Sequence, residues 1–332
     1  MHSFLHRWRG LAAGACLAAE GQAPAAEPVR RRAVLGMGAA LASSGCALRP
    51  AQENPLTGAE PVALPDTRQV DIASGGHLHR IMVAVPPAPS PARGWPVLYV
   101  LDGDLMFAFA AQLMRNRFAR GPGVPAQGAV VVGLGYAGSQ VLDLTARTLD
   151  YTPPAPGPDH DERGRREGGA DAFLDFVDGT VRPMVADAAH IDAASQTLFG
   201  HSYGGLCVLH ALFTRPGGFR NYVAASPSAW WRDGFILEEQ KRFLAARRAG
   251  AGMPPLRLLI TQGEREAGPP ADPARFAIAR ERRGGDRLRT LVAGLDGAPG
   301  LDLRFAMIPG ADHGGAMAPA VRQALELAVG RP

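Results

Sequence analysis

Residues 195–213 read SQTLFGHSYGGLCVLHALF, and this stretch decides how the chain folds. Its first five residues have the apolar pattern of a short strand, and the residues after Gly204 have that of an apolar helix. Gly-x-Ser-x-Gly between a strand and a helix predicts a nucleophile elbow, a sharp turn that forces Ser202 to a positive φ. A side chain at Gly200 or Gly204 is expected to crowd the strand or the helix. Ser202 Oγ would then face a cleft at the positive end of that helix.

Strand patterns and helical patterns alternate on both sides of this turn. The strand patterns cover 69–72, 78–85, 96–101, 129–134, 195–199, 220–225, 256–261 and 301–308, and the helical patterns cover 105–118, 170–186, 206–213, 234–248 and 317–329. The first two strands predict a hairpin, and the short continuous apolar runs predict strands buried on both faces. Together with the elbow, this alternation predicts an α/β-hydrolase fold, in which a mainly parallel central sheet carries helices on both faces.

One long stretch, 151–169, interrupts this alternation. It combines prolines and glycines with a charged run from Asp159 to Glu167. Such a composition cannot bury itself, so it predicts a long loop. A loop of this length is typical of a lid over an active site, and the alternative is a solvated insertion.

The first 46 residues have the order of an export signal, which is basic, then apolar, then small. Three arginines at 30–32 precede the apolar run 33–42, and Ser-Ser-Gly then leads to Cys46. Paired arginines are typical of twin-arginine export, and small residues before a cysteine are typical of lipoproteins. We therefore predict a periplasmic or exported protein with a membrane anchor on lipidated Cys46, a linker over 47–66 and one folded domain over 67–330. The alternative is a disordered basic leader.

Charge and cysteine content exclude several classes of protein. The chain of 332 residues carries a net charge of +4, and residues 1–50 alone hold six arginines against two glutamates, so the remainder is neutral. A neutral body gives no electrostatic basis for nucleic-acid binding. Only Cys207 lies beyond the leader, which excludes a disulfide within the domain. The sequence has no CxxC pair and no HExxH motif, and we predict neither a metal nor a cofactor.

A serine nucleophile needs a base, and the base needs an acid that orients it. In the fold that the elbow predicts, the order along the chain is serine, acid, histidine. Of the nine histidines only His313 follows the last predicted strand, whereas His201 in the elbow is expected to point away. The acid should follow strand 256–261. The usual spacing of a glycine, two residues and the acid selects Glu266, with Glu264 as the alternative and a site without an acid as the third.

Hydrolysis of an ester also needs an oxyanion hole, two backbone N–H groups that face the developing negative charge. The residue after the nucleophile, Tyr203, is expected to give one. The second is expected from the loop after strand 96–101, where Gly103 and Asp104 are the candidate donors. Asp102 and Asp104 around one glycine could also indicate a cation site, but two carboxylates are too few ligands for one.

Six short motifs together resemble the esterase branch of the α/β-hydrolases, and within it the siderophore trilactone esterases of the enterobactin/salmochelin and ferri-bacillibactin type. The resemblance extends over about residues 66–328. Its Arg-x-x-Asp-Tyr-Thr-Pro and Ser-Pro-Ser-x-Trp-Trp motifs are more specific than the elbow. The six motifs are Val97–Gly103, Val132–Tyr136, Arg147–Pro153, Gly200–Gly205, Ser226–Trp231 and Asp312–Gly314.

The resemblance implies an exported serine esterase whose partner is a small-molecule ester, a siderophore trilactone of the ferric catecholate type or its linear products. Such substrates are large, aromatic and anionic. Arg147, Trp230 and Trp231 are then candidate substrate contacts, by charge and by stacking. The alternatives are an ion pair of Arg147 with Asp150 or Asp143, and core packing for the tryptophans.

Two other functions are also compatible with the sequence. One is the same fold acting on feruloyl or acetyl esters, or as an acyltransferase, which requires a site that excludes water but admits an alcohol. The other is a lipoprotein that keeps the fold only to bind a ligand. The presence of Ser202, His313 and an acid argues against the binding lipoprotein.

Overall fold

The computed structural model describes residues 57–118, 127–138, 141–250, 255–266 and 287–330. The predicted leader and its Cys46 lie outside the described residues, as does the first half of the predicted linker, 47–56. The chain divides into two units, Met1–Glu60 and Pro61–Pro332, and the second carries the fold. Within the described ranges, no helix is long and apolar enough to cross a membrane.

One eight-stranded sheet forms the centre of the described part of the chain. Its strand order is β1-β2-β4-β3-β5-β6-β7-β8. The hairpin β1–β2 is antiparallel, β2 is also antiparallel to β4, and all other neighbours are parallel. The strands are β1 Thr67–Ser74, β2 His77–Ala84, β3 Trp95–Leu101, β4 Val130–Tyr136, β5 Ile191–His201, β6 Asn221–Ala225, β7 Leu256–Gly263 and β8 Leu301–Ile308. The predicted α/β-hydrolase fold and its hairpin are therefore confirmed.

The central strands are mostly apolar because both of their faces are covered by helices. Every residue of β4 and β6 is buried. Alternate residues of β3 enter two separate cores, with Val97, Tyr99 and Leu101 on one face and Leu98 and Val100 on the other. A period of two residues along the strand directs neighbouring side chains to opposite faces, which explains the division.

Helices cover both faces of this sheet. The structure forms the predicted helices and adds three that the sequence patterns did not indicate, at 144–150, 231–234 and 287–295. The predicted helix over 170–186 is interrupted by one π-helical turn at Val177–Val181. The helices are α1 Gly103–Asn116, α2 Leu144–Asp150, α3 Ala170–Phe176, α4 Arg182–Ala188, α5 Tyr203–Thr214, α6 Trp231–Gly234, α7 Ile236–Arg248, α8 Arg287–Leu295 and α9 Met317–Ala328.

The predicted long loop over 151–169 is held at both ends, which contradicts the alternative of a solvated insertion. Thr152 is fully buried, and its hydroxyl accepts a hydrogen bond from the Gly168 N–H at 2.8 Å. Glu167 is also buried, where it accepts a hydrogen bond from Trp231 Nε1 at 2.7 Å and pairs with Arg232. Most residues between these two anchors, 154–166, are exposed, including most of the charged ones.

Candidate active site

The candidate site lies at the edge where the parallel strands of the sheet end. Segments that follow the strand ends carry the predicted residues: 102–104 after β3, Ser202 after β5, 226–228 after β6, 264–266 after β7 and the loop of His313 after β8. The carboxyl ends of parallel strands lie at one edge of a sheet, which is where α/β proteins bind their ligands. Residues far apart in sequence therefore meet there.

Ser202 has the strained backbone that the elbow predicts, with φ 59° and ψ −116°. Its N–H donates to the Ala225 carbonyl at 3.0 Å, and its carbonyl accepts from the Leu206 N–H at 3.0 Å. These two bonds hold the turn between β6 and the first turn of α5. A non-glycine residue at positive φ costs about 1–3 kcal/mol and persists only where its surroundings impose it.

The glycines around Ser202 differ in how tightly they are packed. A Cβ at Gly200 would collide with the backbone of Gly204, as predicted. The expectation for Gly204 itself is wrong, because a Cβ there would lie 3.4 Å from Leu101 Cβ, an ordinary contact. The tighter position is Gly205, where a Cβ would lie 3.0 Å from the Ala225 carbonyl oxygen.

His313 lies against the predicted acid Glu266. Its Nδ1 is 2.9 Å from Glu266 Oε2, and the His313 side chain is 48% exposed while Glu266 is 14% exposed. Glu266 Oε1 accepts two further hydrogen bonds, from Ser226 Oγ at 2.6 Å and from the Gly263 N–H at 2.7 Å. Burial raises the pKa of Glu266, but these hydrogen bonds outweigh it and leave the pKa lowered. Glu266 is therefore a carboxylate near neutral pH.

The alternative acid Glu264 contacts the loop of His313 rather than its ring. Glu264 Oε2 accepts a hydrogen bond from the Gly310 N–H at 2.7 Å. The Arg265 N–H donates to the Ala311 carbonyl at 2.9 Å. The short turn Glu264–Glu266 thus fixes the backbone of the loop at two points, and only Glu266 contacts the imidazole.

His201 does not point away from the site, which corrects the sequence expectation. Its Nε2–H donates to the backbone carbonyl of His313 at 2.8 Å, and the two ring centroids are 4.5 Å apart. Burial first, and the neighbouring His313 second, lower the pKa of His201 to about 3. His201 therefore stays neutral. The sequence carried no signal for this contact, because any residue fits the second position of Gly-x-Ser-x-Gly.

Ser202 Oγ has one hydrogen-bond partner among the described residues, Ser228 Oγ at 3.4 Å. No hydrogen bond joins it to His313 within the same residues. Catalytic hydrogen bonds are often long without a substrate and tighten when one binds. The Ser228 N–H donates to the Ser202 carbonyl at 3.1 Å, so the Ser-Pro-Ser motif packs directly against the elbow.

The two expected oxyanion donors, Tyr203 and Gly103, begin helices α5 and α1. The first N–H groups of a helix have no partner within it. Each donor follows a residue at positive φ, Ser202 at 59° and Asp102 at 53°. Asp104 was the alternative donor. Its side chain accepts a hydrogen bond from the Tyr136 N–H at 2.6 Å. Among the described residues, no group of three His, Cys, Asp or Glu side chains could hold a metal ion.

Arg147 is 7% exposed, and its charge is directed at Asp102 instead of at the proposed partners Asp150 and Asp143. Nε and Nη2 donate to the two carboxylate oxygens of Asp102 at 2.8 and 3.0 Å. The guanidinium edge that was expected to meet a substrate is therefore occupied.

The two tryptophans have different environments. Trp231 is 3% exposed and belongs to the core, which agrees with the alternative of core packing. Trp230 is half-buried, and its ring centroid lies 6.1 Å from that of Tyr203, next to the nucleophile. Of the two, only Trp230 is placed to meet a ligand at Ser202.

Comparisons with known proteins show which family this chain resembles. The model of the family described as "Putative esterase" matches residues 74–293. The siderophore triacetylfusarinine C esterase of Aspergillus fumigatus is 35% identical over 286 residues, which cover 80% of this chain and 94% of that protein. The ferri-bacillibactin esterase BesA of Bacillus subtilis is 32% identical over 60% of this chain and 70% of that protein. The solved structure of siderophore hydrolase EstB from Aspergillus nidulans superposes with a TM-score of 0.71 at 31% identity, covering 81% of this chain and 97% of that one.

Proposed function

The chain belongs to this esterase family and is a carboxylic-ester hydrolase, and from that premise we propose that it hydrolyses ester bonds of a siderophore with Ser202 as nucleophile. The observation that carries the mechanism is the strained Ser202 at the same sheet edge as the hydrogen-bonded pair His313–Glu266. A nucleophile, a base and an orienting acid on three different strand ends are the parts of an acyl-transfer site.

Acylation begins when Ser202 Oγ attacks the ester carbonyl carbon and His313 Nε2 takes the hydroxyl proton. Glu266 accepts the Nδ1–H of His313, so it fixes the tautomer and stabilises the imidazolium that forms. The carbonyl oxygen becomes an oxyanion, which the N–H groups of Tyr203 and Gly103 stabilise. Each such donor is worth about 3 kcal/mol in the transition state.

Collapse of the tetrahedral intermediate breaks the bond to the alcohol oxygen, which leaves with the proton from His313. The acyl group is now on Ser202. Water then attacks it while His313 again takes a proton, and the acid product leaves as Ser202 regains its proton. For a trilactone, each cycle opens one ester bond and produces one hydroxyl and one carboxylate.

The surroundings of Tyr203 suit a large aromatic substrate. Trp230 offers a ring beside Tyr203, and the two ring centroids lie 6.1 Å apart. Burial and the charge of Glu167 raise the pKa of the Tyr203 hydroxyl, and Arg165 from the long loop opposes this increase. Arg165 is itself paired with Asp161 through Nε at 2.7 Å, so the stacking surface of Trp230, and not a free cation, supports a catecholate ester as substrate.

Ser202→Ala tests the chemistry. The variant should lose hydrolysis of p-nitrophenyl butyrate by several orders of magnitude, since loss of a nucleophile costs about 10⁶ in kcat in serine hydrolases. Ser90→Ala, at an exposed serine outside the site, controls for preparation effects. Turnover by a folded Ser202→Ala variant equal to that of the parent would end the proposal.

A panel of esters tests the substrate. We expect kcat/KM to be highest for a ferric trilactone, lower for its iron-free form, and lower still for feruloyl and acetyl esters. A preference for feruloyl esters, or transfer of the acyl group to an added alcohol in place of water, would replace the siderophore assignment but keep Ser202 as nucleophile. Binding without turnover would indicate a lipoprotein that only binds its ligand.

We also propose that the protein is exported and anchored through lipidated Cys46, on the basis of the Arg-rich, apolar and small-residue order of the leader. Cell fractionation of the full chain should find the parent in the membrane fraction and Cys46→Ala in the periplasm or medium. A cytoplasmic parent would contradict export, and membrane-bound Cys46→Ala would contradict lipidation at this residue.

A further inference from the structure

We propose that Arg147 is a positioning residue that fixes the oxyanion hole by contacting both residues on which its two N–H groups depend. The inference rests on the proposed function, since an oxyanion hole has meaning only if Ser202 attacks an ester. Arg147 then orients other residues of the protein and does not contact the substrate.

Arg147 acts on the Gly103 donor through Asp102, the residue immediately before it. Asp102 has φ 53° and ψ 47°, a left-handed conformation that an aspartate adopts at a cost. Its side chain makes no capping bond to α1, and both carboxylate oxygens face the guanidinium of Arg147. Its own N–H donates to the Tyr151 hydroxyl at 3.1 Å. Three hydrogen bonds thus set the direction of the peptide that carries the Gly103 N–H.

Arg147 also contacts Tyr203, whose N–H is the other proposed donor. The guanidinium carbon of Arg147 lies 5.5 Å from the ring centroid of Tyr203 and 5.5 Å from that of Tyr151. A guanidinium between two aromatic faces gains cation–π attraction in addition to its ion pair. One side chain of α2 therefore contacts the residue before α1 and the first residue of α5, the starts of the two helices that carry the proposed donors.

Both charged groups of the Arg147–Asp102 ion pair are buried, so the loss of either one is costly. Arg147 and Asp102 are each 7% exposed, and a buried charge that loses its partner is strongly unfavourable. Burial opposes the charge of Arg147, but Asp102 outweighs it and raises the pKa of the guanidinium. Two parallel N–H···O bonds fix an angle as well as a distance, which a lysine cannot reproduce. The pair therefore holds one geometry of the Asp102–Gly103 peptide.

The test compares Arg147→Met, Arg147→Lys and Tyr151→Phe with the parent on p-nitrophenyl butyrate and on its thiono analogue, in which sulfur replaces the carbonyl oxygen. Rates are expressed per active site titrated with a phosphonate ester. We expect kcat to fall by about 10- to 100-fold in Arg147→Met, below the loss when a whole donor is removed, and less in the other two, with KM within about threefold. The preference for the oxygen ester should fall about tenfold, since a displaced hole no longer fits an oxyanion.

Arg215→Met is the matched control, because Arg215 pairs with Asp171 and Asp175 at the far end of α5 and contacts neither donor. It should lower the melting temperature but leave the oxygen-to-sulfur preference unchanged. An unchanged preference in both Arg147→Met and Tyr151→Phe would overturn the proposal even if their stability falls. A Ser202→Ala variant as active as the parent would overturn the proposed function itself, and the proposal with it.

Discussion

His201 Nε2–H donates a hydrogen bond to the backbone carbonyl of His313, so the residue before the nucleophile holds the backbone of the residue proposed as its base. The bond is 2.8 Å long, and the planes of the two imidazole rings are tilted by 46° to each other. A second positive charge this close to His313 would oppose the imidazolium that forms during catalysis. Burial prevents this by keeping His201 neutral.

The pH dependence of stability tests this state of His201. Its pKa falls from the ordinary 6.5 to about 3 on folding, so between these values the unfolded chain binds a proton that the folded chain does not. The free energy of unfolding should therefore decrease as pH falls through this window, by up to about 1.4 kcal/mol per pH unit from this group. Urea unfolding from pH 7 to pH 4 should show that His201→Gln lacks this part of the slope.

His190→Gln, at an exposed histidine, is the control for the substitution itself. Parallel curves for the parent and His201→Gln would show that His201 takes up its proton equally in both states. The same variant should reduce kcat of ester hydrolysis by about tenfold, because a flexible amide holds the His313 carbonyl less rigidly than an imidazole ring does.

Glu266→Gln should cost far more activity than Glu264→Gln. Glu266 contacts the ring of His313, whereas Glu264 accepts only a backbone N–H that a glutamine oxygen also accepts. Loss of the orienting charge costs up to about 10⁴ in kcat in related sites, and we expect about 10²–10⁴ here. We expect Glu264→Gln to stay within about threefold of the parent. A larger loss in Glu264→Gln would reverse the assignment, and small losses in both would define a Ser202–His313 dyad.

Gly200→Ala and Gly204→Ala should differ in stability although both belong to the elbow motif. At Gly200 a methyl group collides with backbone, and nothing flexible can yield. At Gly204 it meets Leu101 at an ordinary distance, inside a helix where alanine is favoured over glycine by about 1 kcal/mol. Thermal unfolding should show a large loss for Gly200→Ala and little change for Gly204→Ala. Equal losses would contradict the described packing of the turn.

Glu167→Ala should release the tip of the long loop. Glu167 holds Trp231 and Arg232, and Arg232 in turn holds the Pro158 carbonyl and has a positive φ of 47°. Without this carboxylate the loop loses its anchor, and trypsin should cleave it at its arginines about tenfold faster or more. Glu162→Ala, at an exposed glutamate in the same loop, should be cleaved like the parent. Equal resistance of both variants would show that the loop is held elsewhere.

The sequence predicted those features that depend on local pattern. Strand and helix periodicity identified every strand of the sheet, and the Gly-x-Ser-x-Gly turn located Ser202 between β5 and α5. The spacing after Gly263 selected Glu266, which the structure places 2.9 Å from the His313 ring. In each case the neighbours in sequence create the geometry, so a pattern over a few residues is sufficient. The roles in catalysis stay predictions until activity is measured.

Contacts between distant segments were beyond the reach of these patterns. Arg147 was expected at a substrate, or beside Asp150 or Asp143, but the fold brings it to Asp102 instead. Helix α2 has only seven residues, too few for a periodic signal. His201 and Ser226 contact the base and the acid through side chains that fit many patterns equally well. Their roles follow only from which strand ends lie side by side.

The loop that carries His313 follows β8, and this has a consequence for how the enzyme is made. The ribosome synthesises Ser202, the proposed nucleophile, before His313, the proposed base. A growing chain with β3 to β7 folded would therefore hold Ser202 and Glu266 without a proton acceptor. With the proposed roles, hydrolysis requires that β8 aligns along β7 and that its loop reaches the turn at Glu264–Glu266. Completion of the sheet, not synthesis of the serine, would then start hydrolysis, and a chain that stops before β8 would lack the proposed base.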